Sequence, residues 1–164
     1  MATQFKSLSD FSHITVGSAV DLTIAIVVAQ WNAQITSSLL EGAYQLLIKQ
    51  GASAENIQII EVPGSYELSS GADIILRNQH IDAVICLGCV IQGDTPHFTF
   101  ICEAVAHGVT QVALKYNKPV IFGVLTTNTL EQALERAGGI HGNKGEEAAA
   151  TAIQMANMSK TIKG

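Results

Sequence analysis

The chain has 164 residues, close to one domain at roughly 150 residues per domain, and with 48 % hydrophobic and only 14 % charged residues it is not a disordered polymer. Nine Lys and Arg against 14 Asp and Glu leave a net charge of −5 without a basic stripe, which argues against nucleic-acid or anionic-membrane partners. Three cysteines do not make a disulfide framework, and no apolar run reaches the roughly 18 residues of a membrane span, so a cytoplasmic protein is expected.

Residues 1–12 are expected as a flexible segment ahead of one domain, residues 13–164. Residues 14–19 are a candidate extra N-terminal strand, short and polar. Residues 22–29 form a continuous apolar run rich in β-branched side chains. A helix follows over 35–50 on the spacing of Leu39, Leu40, Ala43, Leu46 and Leu47, with Gly51 placed to stop it. Residues 57–62 read as a second strand and 66–77 as a helix. The third strand is 83–91, followed by a long helix over 98–116. A fourth strand over 120–125, a short helix over 130–136, a flexible glycine-rich connection and an Ala-rich helix from 144 to about 160 complete the chain. Apolar strands separated by helices imply a parallel sheet covered on both faces, a three-layer α/β/α sandwich of flavodoxin-like type with four mainly parallel strands. The low charge leaves apolar surface for other copies to cover.

In such folds ligands bind beyond the carboxyl ends of the strands. Four segments stand there: 30–32, 63–67, 92–97 and 126–128. In the third, Pro96 suits a first helical turn, Thr95 is its expected N-cap, and the amides of Gly93, Asp94 and Thr95 can take an anion. His97, one step on, can move protons near neutral pH. An ordinary capped helix with a surface histidine is an equally open reading. Gly88 to Thr95 approximates a phosphate loop, but Asp94 stands where that loop needs its lysine. Cys86 and Cys89 have metal or redox spacing, yet within one strand they point to opposite faces. Trp31 can stack on a planar heterocycle or serve as core. Glu67 can cap a helix or hold ligand hydroxyls, and Arg136 can complement a helix dipole or clamp a phosphate. Together these residues suggest a small pocket with a phosphate end, a stacking end and one titratable imidazole.

Five stretches in register resemble the lumazine synthase family: Trp31-Asn32; Val62 to Leu68; Gly88 to Phe98; Phe122 to Thr127; and Glu135 to Gly138 leading to Gly142 to Gly145. The resemblance implies an enzyme of riboflavin biosynthesis that joins 5-amino-6-(D-ribitylamino)uracil to 3,4-dihydroxy-2-butanone 4-phosphate, releasing phosphate and water, with no cofactor or metal. It implies that Trp31 stacks on the pyrimidine beside Asn32, that Ser65, Tyr66 and Glu67 hold the uracil and ribityl chain, and that Cys89, Val90 and Ile91 contact the ring through their backbone. Gly93, Asp94 and Thr95 would form the phosphate site with Arg136, and His97 would transfer protons. Phe122 would come from a neighbouring subunit, with Lys144 from the same region of the assembly. The family forms pentamers, twelve of which can close into an icosahedral shell; the short connection between Arg136 and Lys144 favours the shell, and riboflavin synthase is a candidate partner. The other reading on this fold is a non-catalytic lumazine or flavin carrier or shell protein, which could dispense with His97 or Arg136. Two positions depart from the family pattern: Gln92 where Lys or Arg is usual, and Ser69 where Pro is usual.

Overall fold

In the computed structural model, which describes residues 7–163 (the side chain of Lys163 excepted), the four apolar runs become the four strands of one sheet. These are β1 (Ile24–Ala29), β2 (Ile57–Val62), β3 (Ala83–Ile91) and β4 (Val120–Thr127). All neighbouring strands are parallel, in the order β2-β1-β3-β4. The helices α1 (Ala33–Lys49), α2 (Leu68–Asn78), α3 (His97–Tyr116), α4 (Leu130–Glu135) and α5 (Lys144–Lys163) connect and cover them.

Strand alternation splits the core in two. Ile24, Ile26 and Val28 of β1 and Ile85, Leu87 and Cys89 of β3 face α1 and α5. Ala25, Val27, Val84 and Cys86 face α2 and α3. Both faces are dry, which is why these strands carry no polar alternation. Cys86 and Cys89 therefore point to opposite layers. Burial pushes the Cys86 thiol up to about 12 and the Cys89 thiol up to about 11. Among the described residues no group of three His, Cys, Asp or Glu side chains could hold a metal ion.

Four local differences from the expected elements have physical causes. Residues 14–19 do not form a strand; the carbonyls of Thr15 and Ser18 accept from Gln154 and Asn157 of α5 at 2.9 Å each, so a helix surface satisfies them instead of a sheet ladder. The α2 segment starts with a 3₁₀ turn over Ser65–Glu67 before the α-helix proper. Strand β4 runs to Thr127, because its ladder with β3 extends to the pair Ile91–Thr127. The glycine-rich connection expected to be flexible is a short antiparallel hairpin, β5 (Ala137–Gly139) with β6 (Gly142–Asn143), in which Gly138 and Gly142 take φ of 104° and 80°. Those left-handed angles are open to glycine at little cost.

Of the N-terminal segment 1–12, residues 1–6 lie outside the described residues. Residues 7–12 form turns, with Leu8 buried. No helix among the described residues is long and apolar enough to cross a membrane.

Candidate active site

At the carboxyl end of the sheet two turns are pinned together. The amides of Gln30 and Trp31 donate to the carbonyls of Val62 and Pro63 at 2.8 and 3.1 Å, which locks the exit of β1 to the exit of β2. Asn32 takes the left-handed conformation at φ 59°, ψ 43°, an angle asparagine tolerates better than other side chains. That twist lets its Nδ2 donate to the Cys89 carbonyl at 2.9 Å, while its own carbonyl accepts from Ile35 and Thr36 to start α1. Ser65 Oγ approaches the same Cys89 oxygen at 3.5 Å. Gly88 makes the approach possible: a Cβ there would lie 2.6 Å from Ser65 Oγ and 2.9 Å from Leu68 Cδ1.

These contacts shape a cleft of about 520 Å³ between the ends of β1 and β3, the 3₁₀ turn and the first turns of α3. It gathers Trp31, Asn32, Ser65, Tyr66, Glu67, Cys89, Val90, Ile91 and His97, nine of the expected site residues. Trp31 is 75 % and Tyr66 58 % exposed, so the tryptophan is not core; its indole stands at the mouth, free to stack. Ile101 lines the cleft as well and was not foreseen. Its signal is the spacing of four from His97, which puts both on one helix face.

His97 is the first residue of α3, exposed, with no hydrogen bond or ion pair from its ring among the described residues. Helix α3 begins one residue later than a Thr95 cap requires. Pro96 occupies the N-cap, with φ −62° and ψ −4°, and no side chain caps the helix. The amides of Gly93, Asp94 and Thr95 have no acceptor among the described residues, and the space around Gly93 is open. The chain therefore leaves its donors at the helix start available to an anion. Gln92 is turned onto its own loop, its side chain donating to the Gly93 carbonyl at 2.6 Å and its amide to Thr127 at 2.8 Å.

The remaining expected residues lie elsewhere. Arg136 and Lys144 line a second cleft of about 270 Å³ beside edge strand β4, with Leu8, Thr126, Thr127 and Gln132. Arg136 is the C-cap of α4, its Nη1 donating to the Gln132 carbonyl at 2.9 Å and lying 3.5 Å from Glu135 Oε2. Lys144 opens α5 and pairs with Glu147 at 2.5 Å; its amide donates to the Arg136 carbonyl at 2.8 Å. Phe122 sits in register with Cys86 in the first half of β4, half-buried against the α2–α3 layer and outside both clefts.

A parallel three-layer fold with an exposed indole, a carboxylate and an imidazole gathered at its strand ends is the architecture of a small-molecule enzyme. Residues 21–160 match the 6,7-dimethyl-8-ribityllumazine synthase family. The chain is 54 % identical over 162 residues to the 6,7-dimethyl-8-ribityllumazine synthase of Cytophaga hutchinsonii, covering 99 % of this chain and all of that protein. It is 51 % identical over 159 residues to the synthase of Parabacteroides distasonis (97 % and 99 % covered) and 49 % identical over 160 residues to that of Porphyromonas gingivalis (98 % and 99 %). The chain belongs to the 6,7-dimethyl-8-ribityllumazine synthase family.

Proposed function

We propose that the chain condenses 5-amino-6-(D-ribitylamino)uracil with 3,4-dihydroxy-2-butanone 4-phosphate to 6,7-dimethyl-8-ribityllumazine, releasing phosphate and water. The observation that carries this reading is the single cleft holding Trp31, Glu67 and His97 together in a chain of this family. The pyrimidine stacks on Trp31, with Asn32, Ser65 and Tyr66 around it and the β3 backbone at Cys89, Val90 and Ile91 along its edge. Glu67 accepts from ribityl hydroxyls. The free amine attacks the ketone, water leaves to give an imine, phosphate is lost by elimination to an enol that tautomerises to a carbonyl, and the ribityl-bearing nitrogen closes the ring on that carbonyl with loss of a second water. His97 moves protons in these steps, a contribution smaller here than the roughly 10²–10⁴-fold typical of a positioned acid–base. Holding the two reactants together supplies much of the remaining rate.

The phosphate rests on the amides of Gly93, Asp94 and Thr95. Its cation is Arg136, since Gln92 is neutral. Arg136 lines the cleft at the β4 edge and not the one containing His97, which supports a complete site built from two copies. One copy presents the His97 cleft; its neighbour presents Arg136, Lys144 and Phe122. A ring of head-to-tail contacts repeats that arrangement, which fits a pentamer. We further place twelve such pentamers in a shell, with riboflavin synthase as its partner, and the reaction in the cytoplasm, where the free thiols of Cys86, Cys89 and Cys102 persist. The test is product absorbance from the two substrates with EDTA-treated protein. Formation above the spontaneous rate supports the reading; no excess overturns it.

A further inference from the structure

We infer that residues 7–9 are a strap that holds the Arg136–Lys144 cleft in its working shape, with Leu8 and Ser9 as positioning residues. This rests on the function proposed above. Four contacts carry it. The Leu8 amide donates to the His141 carbonyl at 2.7 Å, and Ser9 Oγ accepts from the Asn143 amide at 2.9 Å. The Leu8 side chain is only 7 % exposed and forms part of the cleft wall beside Arg136 and Lys144. Gly142 is packed so closely that a Cβ would lie 2.8 Å from the Ser9 nitrogen and 2.9 Å from the Leu8 nitrogen.

The strap matters because of what it grips. Hairpin β5–β6 is the only covalent link between Arg136 and Lys144, and it sets how the two cations face each other. It pairs through just Ala137–Asn143 and Gly139–Gly142, with a register irregularity, and contains three glycines. A two-stranded ribbon of this size is marginal in water by itself. The strap bonds to the turn residue His141 and to β6, so it braces the hairpin from a third side. Asn143 is tied on its other side as well, its Nδ2 donating to the Ser38 carbonyl at 2.9 Å and its Oδ1 accepting from the Gly145 amide at 2.8 Å. Residue 143 is thus clamped between the strap and α1, immediately before Lys144.

Ser9→Ala removes one acceptor and should raise the KM for the four-carbon phosphate about three- to tenfold, leaving kcat and the uracil KM unchanged. Ser9→Thr, which keeps the hydroxyl, should restore the parent value. Leu8→Ala should act in the same direction, and amide exchange at residues 138–144 should quicken in both weakened variants. Trp31 is the only tryptophan, so quenching of its fluorescence by the uracil substrate reports the other cleft and should not move. Unchanged phosphate-side KM and exchange, or equal loss on both substrates, overturns the strap. If the parent chain forms no product, the functional reading fails separately, and calorimetry with inorganic phosphate on parent and Ser9→Ala still decides the strap: weaker binding in the variant supports it, and equal binding overturns it.

Discussion

The two clefts are built by different means. The His97 cleft rests on inner strands β1 and β3, and its turns are cross-linked by backbone bonds and by two side chains converging on one carbonyl, that of Cys89. The Arg136 cleft hangs from edge strand β4, a six-residue helix and a glycine hairpin. On the proposed reading the inner cleft positions rings and protons, tasks that need fixed geometry. The outer cleft offers cations at the rim of the subunit, where a neighbour can reach them. On the function proposed above, placing the charged half of the site at an edge would make assembly a condition of activity.

The most direct test of the comparison is reassembly. Subunits carrying His97→Ala and subunits carrying Arg136→Ala, dissociated, mixed equally and assayed below KM, should recover to about a quarter of the unmodified rate, since one neighbour pair in four then has both groups intact. No rise above the mean of the parents, with mixed rings confirmed by mass spectrometry, would place both clefts' residues in one chain's site. Next, Arg136→Ala alone should raise the KM for the four-carbon phosphate roughly 10- to 100-fold, the loss of a charge-assisted contact. Uracil binding, read by Trp31 fluorescence, should stay put; a matching loss there would erase the division of labour. His97→Ala should lower kcat about tenfold, less than the 10²–10⁴ of a typical acid–base group, because proximity carries much of the rate. Steady-state kinetics with both KM values retained would confirm that His97 moves protons and does not bind.

Those expectations depend on residues whose placement was unevenly legible beforehand. The strands and the long helices follow from period alone, since buried parallel strands and amphipathic helices leave plain patterns. The members of the His97 cleft sit beside Gly, Pro and Asn in turns directly after those strands, so they too could be read in advance. The separation of Arg136 and Lys144 from His97 could not, because nothing local distinguishes the end of an inner strand from that of an edge strand. Leu8 escaped for a similar reason. Its backbone is held by a contact 133 positions away, with His141, and the surrounding polar residues suggest a loose tail. The Thr95 cap failed because Pro96 entered the cap position itself.

Two smaller effects sharpen the contrast through stability. Gly88→Ala forces a methyl against Ser65 and Leu68 and should cost about 1–3 kcal/mol in chemical denaturation. It should also disturb uracil binding and spare the phosphate side, the mirror image of Ser9→Ala. At the opposite end of the sheet, burial pushes the Asp82 carboxyl up, but the Thr23 amide, Lys160 and Lys118 outweigh it and hold it below its usual value. A depressed carboxylate stabilises the fold above its unfolded value and loses that contribution as pH falls through the folded one. Stability should therefore drop on acidification below the ordinary aspartate value of 3.8, and Asp82→Asn should flatten that limb of the curve without touching either cleft. An unchanged acid limb would remove Asp82 from the account.

The paired thiols in β3 have a practical corollary. With values near 12 and 11, Cys86 and Cys89 are protonated and shielded at neutral pH, so a thiol reagent can reach them only when a layer lifts from the sheet. One sits beneath α2 and α3, the other beneath α1 and α5. Pulsed alkylation read by peptide mass therefore gives each layer its own clock, and the ratio of the two rates tells whether the sandwich opens leaf by leaf or all at once.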